Sequence, residues 1–128
     1  MKKEIEVLLP NKTVDKAELF IDDRGELVII KFKYKDIEIV KEGELPFYIL
    51  VEIRKELEKI NYFLLCNCSR IDVYPSRMSA VGFNAYQLKH SQQALLTDLV
   101  NILDGTDKVD LITTVEKQKE YCLNILQN

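Results

Sequence analysis

Few residues in this 128-residue sequence have the types and spacing that catalysis requires. His90 is the only histidine, and its position between Lys89 and Ser91 in a polar run indicates an exposed loop. Each of the four glycines stands alone, so there is no glycine-rich loop to hold phosphate groups. Carboxylate pairs such as Asp22 and Asp23 precede a glycine and are typical of turns. The sequence therefore predicts a protein that is not an enzyme and that needs no cofactor.

The cysteines are the next candidates for chemistry, at Cys66, Cys68 and Cys122. An odd number of cysteines and no amino-terminal signal segment indicate free thiols in a reducing cytoplasm, which is the expected location. A zinc site needs four ligands, and only His90 could complete the three cysteines, at a spacing unlike that of metal sites. We therefore expect no metal and interpret the cysteines as small buried side chains.

The charge and hydropathy of the chain restrict the class of partner. The formal net charge is −3, and no segment concentrates lysine and arginine without neighbouring acidic residues. Proteins that bind nucleic acid normally neutralise its phosphates with a basic surface. No apolar stretch approaches the ~20 residues that span a bilayer. We therefore expect a protein partner and neither nucleic acid nor a membrane.

One polar segment contains residue types that are enriched at protein interfaces. If residues 70–74 form a strand, Arg70, Asp72 and Tyr74 project from one face, while the residues between them enter the core. Tyrosine and arginine are common at binding hot spots. An Arg70–Asp72 ion pair, with the tyrosine covering a sheet edge, is the structural alternative. The predicted partner-binding residues, which we call the 70–86 patch, are Arg70, Asp72, Tyr74, Ser76, Arg77 and Tyr86.

Alternation of apolar and polar residues predicts the strands that would position this patch. Between Val28 and Tyr34 every second residue is β-branched or aromatic, which is typical of a strand with one buried face. Asp22 to Gly25 predicts a hairpin turn, and Pro10 ends an amino-terminal strand expected at a sheet edge. The predicted strands are 17–22, 26–34, 36–41, 62–66, 70–74 and 81–88, and residues 5–9 could add an edge strand to these six.

Apolar spacings of three and four predict two helices. The first covers 46–60, with an apolar stripe at Leu50, Ile53, Leu57 and Ile60. The second covers 114–126, where Thr113 and Glu116 would form a capping box. The run 95–103 fits either a strand or a helix. The order strands, helix, strands, helix predicts one α+β domain over 1–128, with an antiparallel sheet of about six strands and both main helices packed on one face.

Residues 50–126 also resemble known proteins. The pattern includes Ile53-Arg54-Lys55-Glu56, Leu64-Leu65-Cys66-Asn67, Asp72-Val73-Tyr74-Pro75-Ser76, Ala85-Tyr86-Gln87-Leu88 and Gln118-Lys119-Glu120-Tyr121. It resembles a group of small, mostly uncharacterised bacterial proteins, some of which are similar to the immunity proteins of polymorphic toxin systems. The sequence departs from that pattern at Ser79-Ala80-Val81-Gly82, where a glycine-rich stretch is expected. The resemblance implies no catalytic residues and favours a strand at 99–103.

Two functions follow from these observations. The leading hypothesis is a non-catalytic, cytoplasmic protein-binding domain of the immunity type, which neutralises a cognate bacterial toxin by covering its active or recognition surface. The alternative is a small-ligand-binding or enzymatic module that uses the Ser69–Tyr86 region. In that module Arg70 would hold an anion, and Cys68 or Tyr74 would have a chemical role. A subunit of another intracellular assembly is a third option.

Overall fold

The computed structural model describes residues 1–75, 82–87 and 99–127, which form two antiparallel sheets and two α-helices. The predicted α+β class is therefore confirmed. The elements are β1 (Lys2–Leu8), β2 (Val14–Asp23), β3 (Val28–Tyr34), β4 (Ile37–Gly43), α1 (Pro46–Glu58), β5 (Phe63–Leu64), β6 (Val73–Tyr74), β7 (Asn84–Gln87), β8 (Leu99–Asn101) and α2 (Val115–Gln127).

The larger sheet contains five strands in the order β4-β3-β2-β1-β5. Strand β1 pairs with β2 from Lys2 opposite Phe20 to Leu8 opposite Val14. On its other side β1 pairs with β5, where Val7 lies opposite Leu64. The amino-terminal strand is therefore an interior strand, and its predicted position at a sheet edge is wrong. The predicted hairpin turn is present before β3, where Gly25 has a φ of +87°, a conformation that glycine adopts without strain.

The core lies between one face of this sheet and α1. Ile30 and Phe32 of β3 are completely buried, whereas Lys33, which follows Phe32, is exposed. The alternating pattern predicts this difference. From the helix, a stripe of completely buried residues covers the sheet at Leu50, Ile53 and Leu57. Burial of each such side chain stabilises the fold by about 1.5–3 kcal/mol. Ile60, which the apolar spacing predicts on this stripe, lies beyond the end of α1 and is exposed.

The remaining strands form a separate sheet in the order β6-β7-β8. The strands therefore divide between two sheets instead of forming one, and the predicted strand 70–74 shortens to Val73–Tyr74. A turn occupies residues 71 and 72, and Arg70 makes only an isolated bridge to Ile112. Strand β8 lies within 99–103, as the resemblance favours, and residues 95–98 lie outside the described part. Helix α2 packs on β6 and α1, not on the five-stranded sheet as predicted.

The start of α2 is fixed by α1. The Thr114 hydroxyl accepts a hydrogen bond from the Lys117 amide at 3.2 Å, and a Glu58 carboxylate oxygen accepts one from the Val115 amide at 2.9 Å. These acceptors satisfy amides that lack partners within the helix. The capping residue is therefore Thr114 and not Thr113 as predicted, and the second acceptor comes from another helix in place of Glu116.

Candidate functional site

Two residues of the 70–86 patch, Arg70 and Asp72, form an ion pair with each other. The Arg70 guanidinium donates to both carboxylate oxygens of Asp72, at 2.9 and 2.7 Å. The Gln87 side-chain amide donates to the same carboxylate at 3.2 Å. These two charged side chains are only 13% and 14% exposed. The arrangement matches the structural alternative that the sequence left open, because each charge is largely satisfied by the other.

We expect Arg70→Ala to lower the free energy of unfolding by about 1–3 kcal/mol, since Asp72 would remain mostly buried without its charged donors. Arg24→Ala is the matched control, because Arg24 contacts Asp22 at 3.0 Å but those side chains are 62% and 54% exposed. Loss of that exposed pair should cost less than about 1 kcal/mol. Chemical denaturation of both variants provides the measurement. Equal losses in the two variants would show that the Arg70 pair is not structural.

Tyr74 lies on β6 directly opposite Tyr86 of β7. Its ring meets the Phe47 ring of α1 edge to face, with the ring centres 5.3 Å apart. Burial raises the pKa of the Tyr74 hydroxyl to about 12, so the neutral form is favoured. The structure thus brings together Arg70 with Asp72 and Tyr74 with Tyr86. Ser76 and Arg77 of the patch lie outside the described residues.

Tyr74 also lines a groove of about 680 Å³ between the two helices, which we call the α1/α2 groove. This volume is in the range of clefts that hold small molecules or a few side chains of a larger partner. The groove is lined by Tyr48, Val51, Glu52, Lys55 and Glu58 of α1, by Tyr74, and by Val115, Glu116, Gln118, Lys119, Glu120 and Leu123 of α2.

Apolar side chains of the groove reach the surface on both helices. Tyr48 is 43% exposed and Leu123 is 45% exposed, with the partly buried Val51 also in the lining. Large apolar side chains that converge on one concave surface are typical of interaction sites, whereas isolated ones are common everywhere. The composition of the α1/α2 groove therefore fits a binding site.

The charge of the groove is acidic. Four glutamates and two lysines line it. Lys55 pairs with Glu52 at 3.1 Å, and Glu58 accepts the hydrogen bond from the start of α2. Glu116 and Glu120 are exposed and form no ion pair with any described residue. These two carboxylates are therefore available to a partner.

A buried polar network fixes the positions of the groove walls. Arg54 of α1 is 2% exposed and Gln118 of α2 is completely buried. One Arg54 nitrogen donates to the Gln118 side-chain oxygen at 2.7 Å and to the Cys68 carbonyl at 2.8 Å, and the other donates to the Thr113 carbonyl at 3.1 Å. In the described part of the chain no carboxylate pairs with Arg54, so carbonyl and amide oxygens stabilise its charge.

Gln118 extends this network to the segment before β6. Its side-chain nitrogen lies 2.9 Å from the Cys68 carbonyl, 2.8 Å from the Arg70 carbonyl and 2.9 Å from the Val73 carbonyl. A single side chain thus joins α2 to the chain that leads into β6. Together, Gln118 and Arg54 connect α1, α2 and β6 around the groove. Buried networks of this kind rigidify the site that they support.

The cysteines are free and buried. The Cys66 and Cys68 sulfurs are 3.0 Å apart, and the hydrogen bond to Cys68, reinforced by burial, raises the pKa of the Cys66 thiol. Burial likewise raises the pKa of Cys122. Buried thiols react slowly because the attacking species is an accessible thiolate. Among the residues that the structure describes, no group of three or more potential ligands could hold a metal ion.

Sequence reasoning missed the groove and the network beneath it. A signal for the network was present, since Arg54 lies four residues after Leu50 and three before Leu57, on the buried stripe of α1. Gln118 lies at the corresponding position of α2, four residues before Cys122. A long polar residue on each of two apolar stripes predicts a buried polar contact. The groove itself left no such signal, because its walls are about 60 residues apart in sequence.

Comparison with known proteins adds no relatives. No protein-family model matches the chain, and no curated protein matches it. In the ranges 1–75, 82–87 and 99–127, no helix is long and apolar enough to cross a membrane.

Proposed function

We propose that this chain is a non-catalytic, cytoplasmic protein-binding domain of the immunity type, which neutralises a cognate bacterial toxin by covering its active or recognition surface. The observation that carries the proposal is the α1/α2 groove, in which exposed apolar side chains of both helices converge beside carboxylates that form no ion pair with any described residue. The resemblance of residues 50–126 to proteins similar to immunity proteins agrees with it, since that range contains the α2 wall and the whole α1 wall except Tyr48.

The scaffold of the groove suits tight binding. Association is costly when side chains and loops must become ordered at the interface, so a preformed surface retains more of its contact energy. Here the walls are helices, joined by the buried Arg54–Gln118 hydrogen bond at 2.7 Å. The Tyr74 ring is held against Phe47 beneath the groove. A partner therefore meets apolar groups carried by elements whose relative positions are held by buried contacts.

The enzymatic or small-ligand alternative is less well supported. It assigns an anion to Arg70, but that guanidinium already makes two hydrogen bonds to Asp72. It assigns reactivity to Cys68, but that thiol is completely buried and contacts Cys66. Both groups would have to leave their present partners before they could act on a ligand.

The function is tested by co-expression with the product of the neighbouring gene in a bacterial host. We expect that product to arrest growth, and this chain to relieve the arrest and to purify in complex with it. Tyr48→Ala and Leu123→Ala should each weaken the complex by more than about 1 kcal/mol, measured by calorimetry, as truncation of a hot-spot residue does.

Val40→Ala and Val109→Ala are the controls for this experiment. Both valines are exposed, at 53% and 44%, and neither lines the groove. Their truncation should leave affinity within about 0.5 kcal/mol of the original value. Growth arrest that this chain cannot relieve, or a complex that tolerates both groove variants, would contradict the proposed function.

A further inference from the structure

Two exposed carboxylates of α2 lie in the lining of the α1/α2 groove. Glu116 and Glu120 are four residues apart, so they occupy neighbouring positions on one face of α2. Like charges at this spacing destabilise a helix by a few tenths of a kcal/mol. Both glutamates are exposed in the groove lining, to which α2 contributes one lysine, Lys119. A cation from outside the chain would relieve this repulsion.

The apolar part of the groove lies beside these carboxylates. Tyr48 and Val51 line it from α1 and Leu123 lines it from α2, with Leu123 three residues beyond Glu120. An occupant must therefore place apolar side chains between the helices and positive charges along α2. That combination describes an amphipathic segment with basic flanks.

The edge of the small sheet is closed to an added strand. Strand β6 is the edge strand nearest the groove, and its Val73 carbonyl already accepts a hydrogen bond from Gln118 of α2. Strand addition needs unpaired backbone groups along such an edge. The lining runs from Tyr48 to Glu58 on α1 and from Val115 to Leu123 on α2, a length of about 12–15 Å at 1.5 Å per residue. Two to three turns of a helix fit that length.

We propose that the occupant of the α1/α2 groove is a basic amphipathic helix of the partner protein. Its apolar face lies against Tyr48, Val51 and Leu123, and its lysine or arginine side chains pair with Glu116 and Glu120. This inference rests on the proposed function, because it names the segment of the partner that the groove receives. A second copy of this chain is a poor occupant, since an isologous contact would bring two acidic grooves together.

The direct test uses two 14-residue helical probes, one of leucine and lysine and one of leucine and glutamate, with affinities measured by fluorescence anisotropy at two salt concentrations. We expect the original protein to bind the lysine probe and not the glutamate probe. The double variant Glu116→Lys/Glu120→Lys should weaken binding of the lysine probe by about tenfold or more and reduce its salt dependence. A thermal melt should show that the variant remains folded.

The matched control is Glu26→Lys/Glu44→Lys, which changes the net charge equally at two exposed glutamates outside the groove. Its affinity for the lysine probe should change by less than about threefold. Equal losses in the two double variants, equal binding of both probes, or no binding of the lysine probe would each overturn the inference.

The co-expression assay separates this inference from the proposed function. The Glu116→Lys/Glu120→Lys protein is compared with the original protein in that assay. If it neutralises the neighbouring toxin equally well, the inference of a basic helix is wrong and the protein-binding function stands. If the original protein binds the lysine probe in the groove but never relieves growth arrest, the toxin-neutralising function is wrong and the groove chemistry stands.

Discussion

Replacement of Gln118 by leucine is expected to lower the free energy of unfolding by about 3 kcal/mol or more. Leucine is similar in size, so the main change is in hydrogen bonding. The buried Arg54 guanidinium would lose an acceptor that now lies 2.7 Å away. The carbonyls of Arg70 and Val73 would lose a side-chain donor at 2.8 and 2.9 Å. Arg54 would keep the Cys68 and Thr113 carbonyls as acceptors, but a buried charge that loses one of its three acceptors is costly.

Asn124→Leu is the matched control for this variant. It makes a comparable polar-to-apolar change on α2, but Asn124 is exposed. Surface changes of this kind usually stay within about 0.5 kcal/mol. Urea denaturation of both variants should give different midpoints with similar slopes, which would assign the difference to native-state stability. A Gln118→Leu protein as stable as Asn124→Leu would show that the network contributes little.

The double variant Arg54→Met/Gln118→Leu tests whether the two residues act as a unit. Methionine removes the buried charge that loses one of its acceptors in the single Gln118 variant. The double variant should therefore be more stable than the sum of the single losses implies, with a coupling of about 1 kcal/mol or more. Strictly additive losses would mean that Arg54 and Gln118 are independent.

The longer strands of the five-stranded sheet and both helices could be predicted from the sequence, because their signals are local. Alternation in β3 and the stripe at Leu50, Ile53 and Leu57 depend only on which face of an element is buried. The small sheet could not be predicted in the same detail. Its strand Val73–Tyr74 is two residues long, and the segment before it is held by Gln118 and by a bridge to Ile112, both distant in sequence. Periodicity carries no information about such contacts.

The candidate site shows the same limit. The residue types of the 70–86 patch fit a binding surface, but the sequence could not show that Arg70 and Asp72 would bond to each other at 2.7 Å. Nor could it show that Tyr74 would line a groove between helices that begin at Pro46 and Val115. Of the described patch residues, Tyr74 connects the sequence prediction to the α1/α2 groove. It is therefore the residue at which stability and binding are expected to change together.

Truncation of Tyr74 to alanine is expected to cost about 2–3 kcal/mol of stability, less than for a fully buried ring because the side chain is partly exposed. The lost contact is the edge-to-face packing on Phe47, with ring centres 5.3 Å apart. Partner affinity of the folded protein should also fall, because the ring lines the groove. Tyr74→Phe keeps the ring and should retain stability at neutral pH within about 1 kcal/mol. An alanine variant with unchanged stability would contradict the packing described here.

The stability of the Tyr74→Phe variant should also differ from that of the original protein at high pH. Burial raises the Tyr74 pKa from 10.0 to about 12, so between these values the folded protein holds a proton that the unfolded chain releases. The stability that the neutral phenol contributes is thus fully present below pH 10 and is lost as the pH rises through about 12. Phenylalanine has no proton to release, and the other titrating groups are common to both proteins. We therefore expect urea midpoints, measured from pH 8 to pH 12, to fall more steeply for the original protein than for Tyr74→Phe above about pH 10. Parallel curves would show that the hydroxyl is not held in the buried environment beneath the groove.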